Sequence, residues 1–142
     1  NFEYRLPTKE EWERVAKIGY SEKTLKKLAS TKYSGQITSN LKRGKESNNM
    51  GVAGKLNDNA DIVAPVAAFW PNQLGIYNLL GNVAEMTSTK GIAKGGSWTH
   101  HEKEVTVEKD FEYSEPTNWL GFRCVFEVKD KDLMINPLNE KK

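Results

Sequence analysis

The stretch YNLLGNVAE, Tyr77 to Glu85, gathers several groups that could do chemistry. Asn78 offers an amide oxygen and Glu85 a carboxylate. A backbone bent at Gly81 and Val83 can turn carbonyl oxygens inward. Such a set of hard oxygen donors suits calcium, which takes roughly six to eight of them. The same residue types at this spacing also build an ordinary turn, with Asn78 as a cap and Glu85 in a surface hydrogen bond. By spacing alone the turn is the simpler reading.

Two other places invite a chemical reading. His100 and His101 are followed by Glu102 and Glu104. Adjacent residues on a strand point to opposite faces, so the two rings chelate one ion only from a loop. A catalytic iron site needs about three convergent ligands, and surface histidines are the plainer expectation. Cys124 is the sole cysteine, which rules out a disulfide within the chain, dithiol chemistry and a cysteine-based zinc site. Its expected role is that of a small buried hydrophobe.

Other function classes find no support. GVAGKLND lacks the ending of a phosphate-binding loop, and no serine sits in a GxSxG elbow. A net charge of +2 makes no case for nucleic acid, and no apolar run of about 18 residues predicts a membrane span. The lysines between Lys23 and Lys45 read as a solvated face.

The elements that must position these groups are few. RLPTKEEWERVAKIGY carries Thr8 as N-cap with Glu11 three residues on, a capping box, and Trp12, Val15, Ala16 and Gly19 share one face. SEKTLKKLA, 21–29, is a weaker second helix. Residues 30–62 read as a long loop with few apolar anchors. GIAKGGSW reads as a strand followed by a glycine bend, and HEKEVTVEKDFEY as a strand or extended loop. WLGFRCVFEV reads as one final strand, with Phe122, Cys124 and Phe126 on one face and Arg123, Val125 and Glu127 on the other. Arg5 and Arg123 are expected in internal ion pairs. The expected class is α+β, with short strands and much ordered loop. A charged tail, 129–142, follows a domain spanning 1–128. Buried loop backbone must still satisfy its N–H and C=O groups, and a bound cation is one way to do so.

The segments RLPTKEEWE, PVAAFWPNQLGIYNLLGNVAE, KGGSW and LGFRC occur in that order. Together they resemble the second half of the formylglycine-generating enzyme family, the sulfatase-modifying-factor domain. The resemblance implies an irregular, loop-rich fold related to C-type lectins and held by structural calcium. It implies calcium ligation by Asn78 and Glu85 side chains and by Gly81 and Val83 carbonyls. It also implies a second calcium site in the long loop, with Asp58, the Ala60 carbonyl and Asn48 or Asn49. Active members resemble copper oxidases that use two cysteines shortly after GGS. Those positions fall at or near His100 and Val105, and valine ligates no metal, so no copper is expected. Ala84 and Met86 replace aromatic residues that usually flank the family glutamate.

These departures imply a non-catalytic binding or structural module with protein partners. The resembling members include lipoproteins of bacterial gliding-motility and type IX secretion machines, which implies a periplasmic or outer-membrane-associated location. The alternative is an enzyme: a divergent oxidase, or the C-terminal part of a non-haem iron sulfoxide synthase. Segments 20–60 and 99–118, which depart most from the pattern, are the expected partner surface. Deletion of 22–45 is expected to leave a cooperative fold.

Overall fold

The computed structural model describes residues 2–19, 39–42, 62–69 and 71–129. The chain enters on β1 (Phe2–Arg5) and turns at Pro7 into α1 (Lys9–Gly19). The capping box forms as expected: Thr8 Oγ1 accepts the Glu11 N–H at 3.1 Å, and Glu11 Oε2 accepts the Thr8 N–H at 2.9 Å. Acidic residues in the first turn and Lys17 in the last complement the helix dipole. Arg5 bonds Glu11 through both terminal nitrogens and Glu127 through Nε. That guanidinium, with the Thr8 N–H, draws the Glu11 carboxyl down to about 2.

The remaining strands are short: β2 (Ala84–Met86), β3 (Ile92–Lys94), β4 (Phe111–Glu112), β5 (Leu120–Gly121) and β6 (Val125–Val128). β1 pairs antiparallel with β6 as a two-stranded ribbon. The other sheet runs β4-β3-β2-β5, with β2 antiparallel to β3 and parallel to β5. One helix and two small open sheets, joined by long ordered turns, make an irregular α+β fold. Trp12 and Ala16 of α1 pack into a core with Leu79, Ala84, Ala93 and Phe111. No helix among the described residues is long and apolar enough to cross a membrane.

Several expectations change. The final strand is not continuous: β5 and β6 lie in different sheets, and Phe122–Cys124 between them is unpaired. Arg123 turns inward there and its neighbours turn out, so Phe122 and Cys124 are exposed. Cys124 is thus a surface thiol rather than a buried hydrophobe. Most of 101–113 is turn and loop, with strand only at Phe111–Glu112, yet Val105 and Val107 are buried.

Within the long loop, Ser39, Asn40 and Leu41 are buried, and the Asn82 N–H donates to the Asn40 carbonyl at 2.8 Å. This part of 20–60 offers no surface to a partner. A deletion of 22–45 would remove core, so it no longer tests partner capture alone. The expected helix at 21–29 and the tail beyond Lys129 lie outside the described residues. On the β1–β6 ribbon, Phe126 stacks with Phe2 and tilts against Tyr4, and all three rings are exposed.

Candidate functional site

Glu85 sits in the middle of β2 and is only 4% exposed. A carboxylate that deep needs partners. The Trp12 indole N–H donates to Oε2 at 2.8 Å. Arg123 Nη2 donates to Oε1 at 2.7 Å, and its Nε reaches both oxygens at 3.1 and 3.2 Å. Arg123 Nη2 also donates to the Tyr77 carbonyl at 2.8 Å. One carboxylate therefore joins α1, β2, the β5–β6 connection and the loop before Asn78. Arg5 and Arg123 both form the internal ion pairs expected of them.

The loop backbone is satisfied in large part by asparagines. Asn82, with φ of 68°, accepts the Ala64 N–H on Oδ1 at 2.7 Å and donates from Nδ2 to the Ala64 carbonyl at 3.2 Å. Asn40 Nδ2 donates to the Ile62 carbonyl at 2.7 Å and to Asn82 Oδ1 at 3.3 Å. Sequence reasoning missed both residues. The signal for Asn82 was present, since asparagine after glycine tolerates the left-handed region and caps neighbouring backbone.

Asn78 has a φ of 53° and donates from Nδ2 to the Val66 carbonyl at 2.9 Å, which leaves its amide oxygen available. Asn78, Val83 and Glu85 line one cavity of about 200 Å³, with Arg123 on the wall. Gly81, the fourth expected ligand, is buried and does not line this cavity; its N–H donates to the Gly95 carbonyl at 2.8 Å. Of the donors expected for calcium, the Asn78 amide and the Glu85 carboxylate border this one space together with Val83. Both carboxylate oxygens already accept from Arg123, and Oε2 also from the Trp12 N–H, so a cation there would compete with a guanidinium. Asn48, Asn49, Asp58 and Ala60 lie outside the described residues.

The GGS bend packs against this loop. Gly95 has a φ of 86°, and a Cβ there would lie 2.2 Å from the Leu79 carbonyl oxygen. Gly95→Ala is expected to cost about 2–5 kcal/mol from left-handed strain plus overpacking, read from a urea melt. A cost under about 1 kcal/mol would mean that the bend and the Asn78 loop do not interlock as described.

Beyond the bend, His100 and Val105, at or near which the resemblance implies two thiolates, sit very differently. Val105 is buried, and its Cγ2 lies 2.5 Å from where a Cβ on Gly96 would stand. His100 lies half-buried between Phe111 and Trp119, at ring-centroid distances of 4.3 and 5.0 Å. Its Nδ1 accepts the Ser97 main-chain N–H at 3.0 Å. His101 instead accepts the Lys103 N–H on Nδ1 at 3.2 Å. Among the described residues, no three His, Cys, Asp or Glu side chains form a group that could hold a metal ion.

The model of the sulfatase-modifying factor enzyme 1-like domain matches residues 2–128. The chain belongs to this sulfatase-modifying-factor family. It is similar to the inactive C-alpha-formylglycine-generating enzyme 2 of Bos taurus, with 32% identity over 136 residues, covering 84% of this chain and 43% of the bovine protein. It is also similar to the formylglycine-generating enzyme of Mus musculus, with 34% identity over 114 residues, covering 80% of this chain and 27% of the mouse protein. The chain thus spans less than half the length of these relatives. Similarity to a protein named inactive and to one named for the activity puts the weight on the site itself.

Lys94 of this sulfatase-modifying-factor chain is the other residue that sequence reasoning passed over. It has no exposure, and Nζ bonds Glu13 Oε1 at 2.8 Å and Asp110 Oδ1 at 3.0 Å. Lys9 also pairs with Asp110, and Lys17 with Glu108. This network fastens α1 to β3 and to the loop before β4.

Proposed function

We propose that this chain is part of a non-catalytic binding or structural module on the sulfatase-modifying-factor scaffold. One observation carries the reading: at the two positions where the resemblance expects thiolates stand a buried valine and a histidine whose Nδ1 lone pair is already engaged. Valine has no ligating atom. A thiolate pair suits soft Cu(I), and neither residue supplies one.

Calcium is the structural ion of this reading. Asn78, Val83 and Glu85 would hold it, with the Gly81 carbonyl as the resemblance implies, and its charge would pin carbonyl oxygens of irregular backbone. Because Glu85 is shared with Arg123, the affinity is expected to be about 10⁻⁴–10⁻³ M, as in extracellular modules. The setting we assign is extracytoplasmic, within a protein assembly of a bacterial envelope. Support for that setting is the resemblance alone.

Two measurements test the proposal. A peptide carrying a sulfatase-type cysteine motif, incubated with the full chain, copper and oxygen, is expected to yield no formylglycine. Formylglycine formed at a rate above that of a protein-free control would establish the enzyme reading instead. Calcium at about ten times its dissociation constant is expected to add about 1.4 kcal/mol of stability, seen as a rise in Tm that chelator reverses. An unchanged Tm across millimolar calcium removes the ion from the proposal.

A further inference from the structure

Residues of α1, the loop at Ile76 and Leu79, and the start of β6 surround a cavity of about 160 Å³. Part of its wall is core: Trp12 and Leu79 are buried, and Val15 and Ile76 pack against the same cluster. The Trp12 indole is tied to Glu85 at 2.8 Å, so the ring stands as a fixed wall. Pro7 and Val125 extend the apolar lining. Cys124 borders the cavity and is exposed, so the space is reached from solvent past the thiol. The cavity shares only Arg123 with the one at Glu85.

The lining sets the chemistry of an occupant. Its two charged residues already have partners. Glu11 accepts from both terminal nitrogens of Arg5 at 2.7 Å and from the Thr8 N–H at 2.9 Å. Arg123 donates to Glu85 and to the Tyr77 carbonyl. A polar group entering here would give up water for no waiting partner, whereas an apolar one gains by burial. Volume sets its size. Ordinary small-molecule pockets hold roughly 300–1,000 Å³, and a cavity of about 150 Å³ is filled by one benzene-sized group. Phe122 and Phe126 stand two residues to either side of Cys124 and are 66% and 50% exposed. Apolar surface flanking the thiol suits a polypeptide, which covers more than the cavity alone.

We propose that this cavity is an anchor pocket that takes one uncharged apolar side chain, of leucine to phenylalanine size, from a partner polypeptide. Aliphatic and aromatic anchors seated in such pockets dominate the energy of protein interfaces. The inference rests on the binding-module reading and gives it a docking point.

Cys124 is the only cysteine of the chain, so its alkylation reports on the pocket directly. Toluene and N-acetylphenylalaninamide should each slow iodoacetamide modification of Cys124 in the folded full chain. Both should also shift the methyl signals of Val15, Leu79 and Val125. Benzoate and benzylammonium should bind at least about tenfold more weakly, because their charge finds no free partner. Val15→Phe, which fills the cavity from α1, should abolish these effects while circular dichroism stays native. Val125→Phe repeats the test from β6. Peptides selected by phage display on the full chain should carry an apolar residue whose replacement by Ala loses binding, and should not bind Val15→Phe. Toluene binding without binding of the blocked residue or of any peptide would make this a small-molecule site and overturn the proposal. Dimerisation that Val15→Phe abolishes would make a second copy the occupant and overturn it likewise. Cys124 reactivity unchanged by every probe would show that the cavity takes nothing. Formylglycine in the peptide assay would instead overturn the module reading, whatever the pocket binds.

Discussion

Glu85→Ala is expected to lower the unfolding free energy by about 3–5 kcal/mol, seen as a lower urea midpoint at unchanged slope. The reason is what the substitution leaves behind. The Glu85 side chain is 6% exposed and its Arg123 partner 36%. Removing the carboxylate leaves the Arg123 guanidinium, which cannot deprotonate, with only the Tyr77 carbonyl and solvent. It also leaves the Trp12 N–H without its 2.8 Å acceptor. Glu85→Gln should cost less, because an amide oxygen can still accept from Trp12 while only the ion pair is lost. Glu85→Ala combined with Arg123→Met should cost less than the two single changes added together, since each already breaks the shared joint. A loss of under about 1 kcal/mol for Glu85→Ala would show that this carboxylate does not hold α1, β2 and the β5–β6 connection together.

The Lys94 network should respond very unevenly to removal of its parts. Lys94 has no exposure, whereas Glu13 and Asp110 are 25% and 33% exposed. Either carboxylate alone can be lost while the other still balances the ammonium, so Glu13→Ala and Asp110→Ala are each expected to cost about 1 kcal/mol. The two together leave a buried, unpaired lysine and are expected to cost about 3–5 kcal/mol. Lys94→Met should be milder than that double change. It withdraws the buried charge, and both acids remain open to water and to Lys17 and Lys9. A double-mutant cycle on thermal or urea melts measures the excess. Strict additivity of Glu13→Ala and Asp110→Ala would mean that Lys94 finds water or another partner, contrary to its place in the core.

The local elements could be read from the chain directly. Thr8 and Glu11 lie three residues apart, so the capping box and the start of α1 need nothing beyond their own turn. The strand before Gly95 and Gly96 and the bend at those glycines follow from residue type, because positive φ selects glycine. The need to satisfy buried loop backbone was also legible, and asparagines meet much of it. Only tertiary structure decided the rest. Trp12 and Glu85 are 73 residues apart, Glu85 and Arg123 38, and Glu13 and Lys94 81. Spacing carries no record of pairs that meet only when the core closes. That closure gave Arg123 its partner in Glu85, divided the last strand between two sheets and left Cys124 outside. It also buried Asn40 and Leu41, in a stretch whose polar composition reads as exposed loop, because their partners at Ile62 and Asn82 come from elsewhere in the fold.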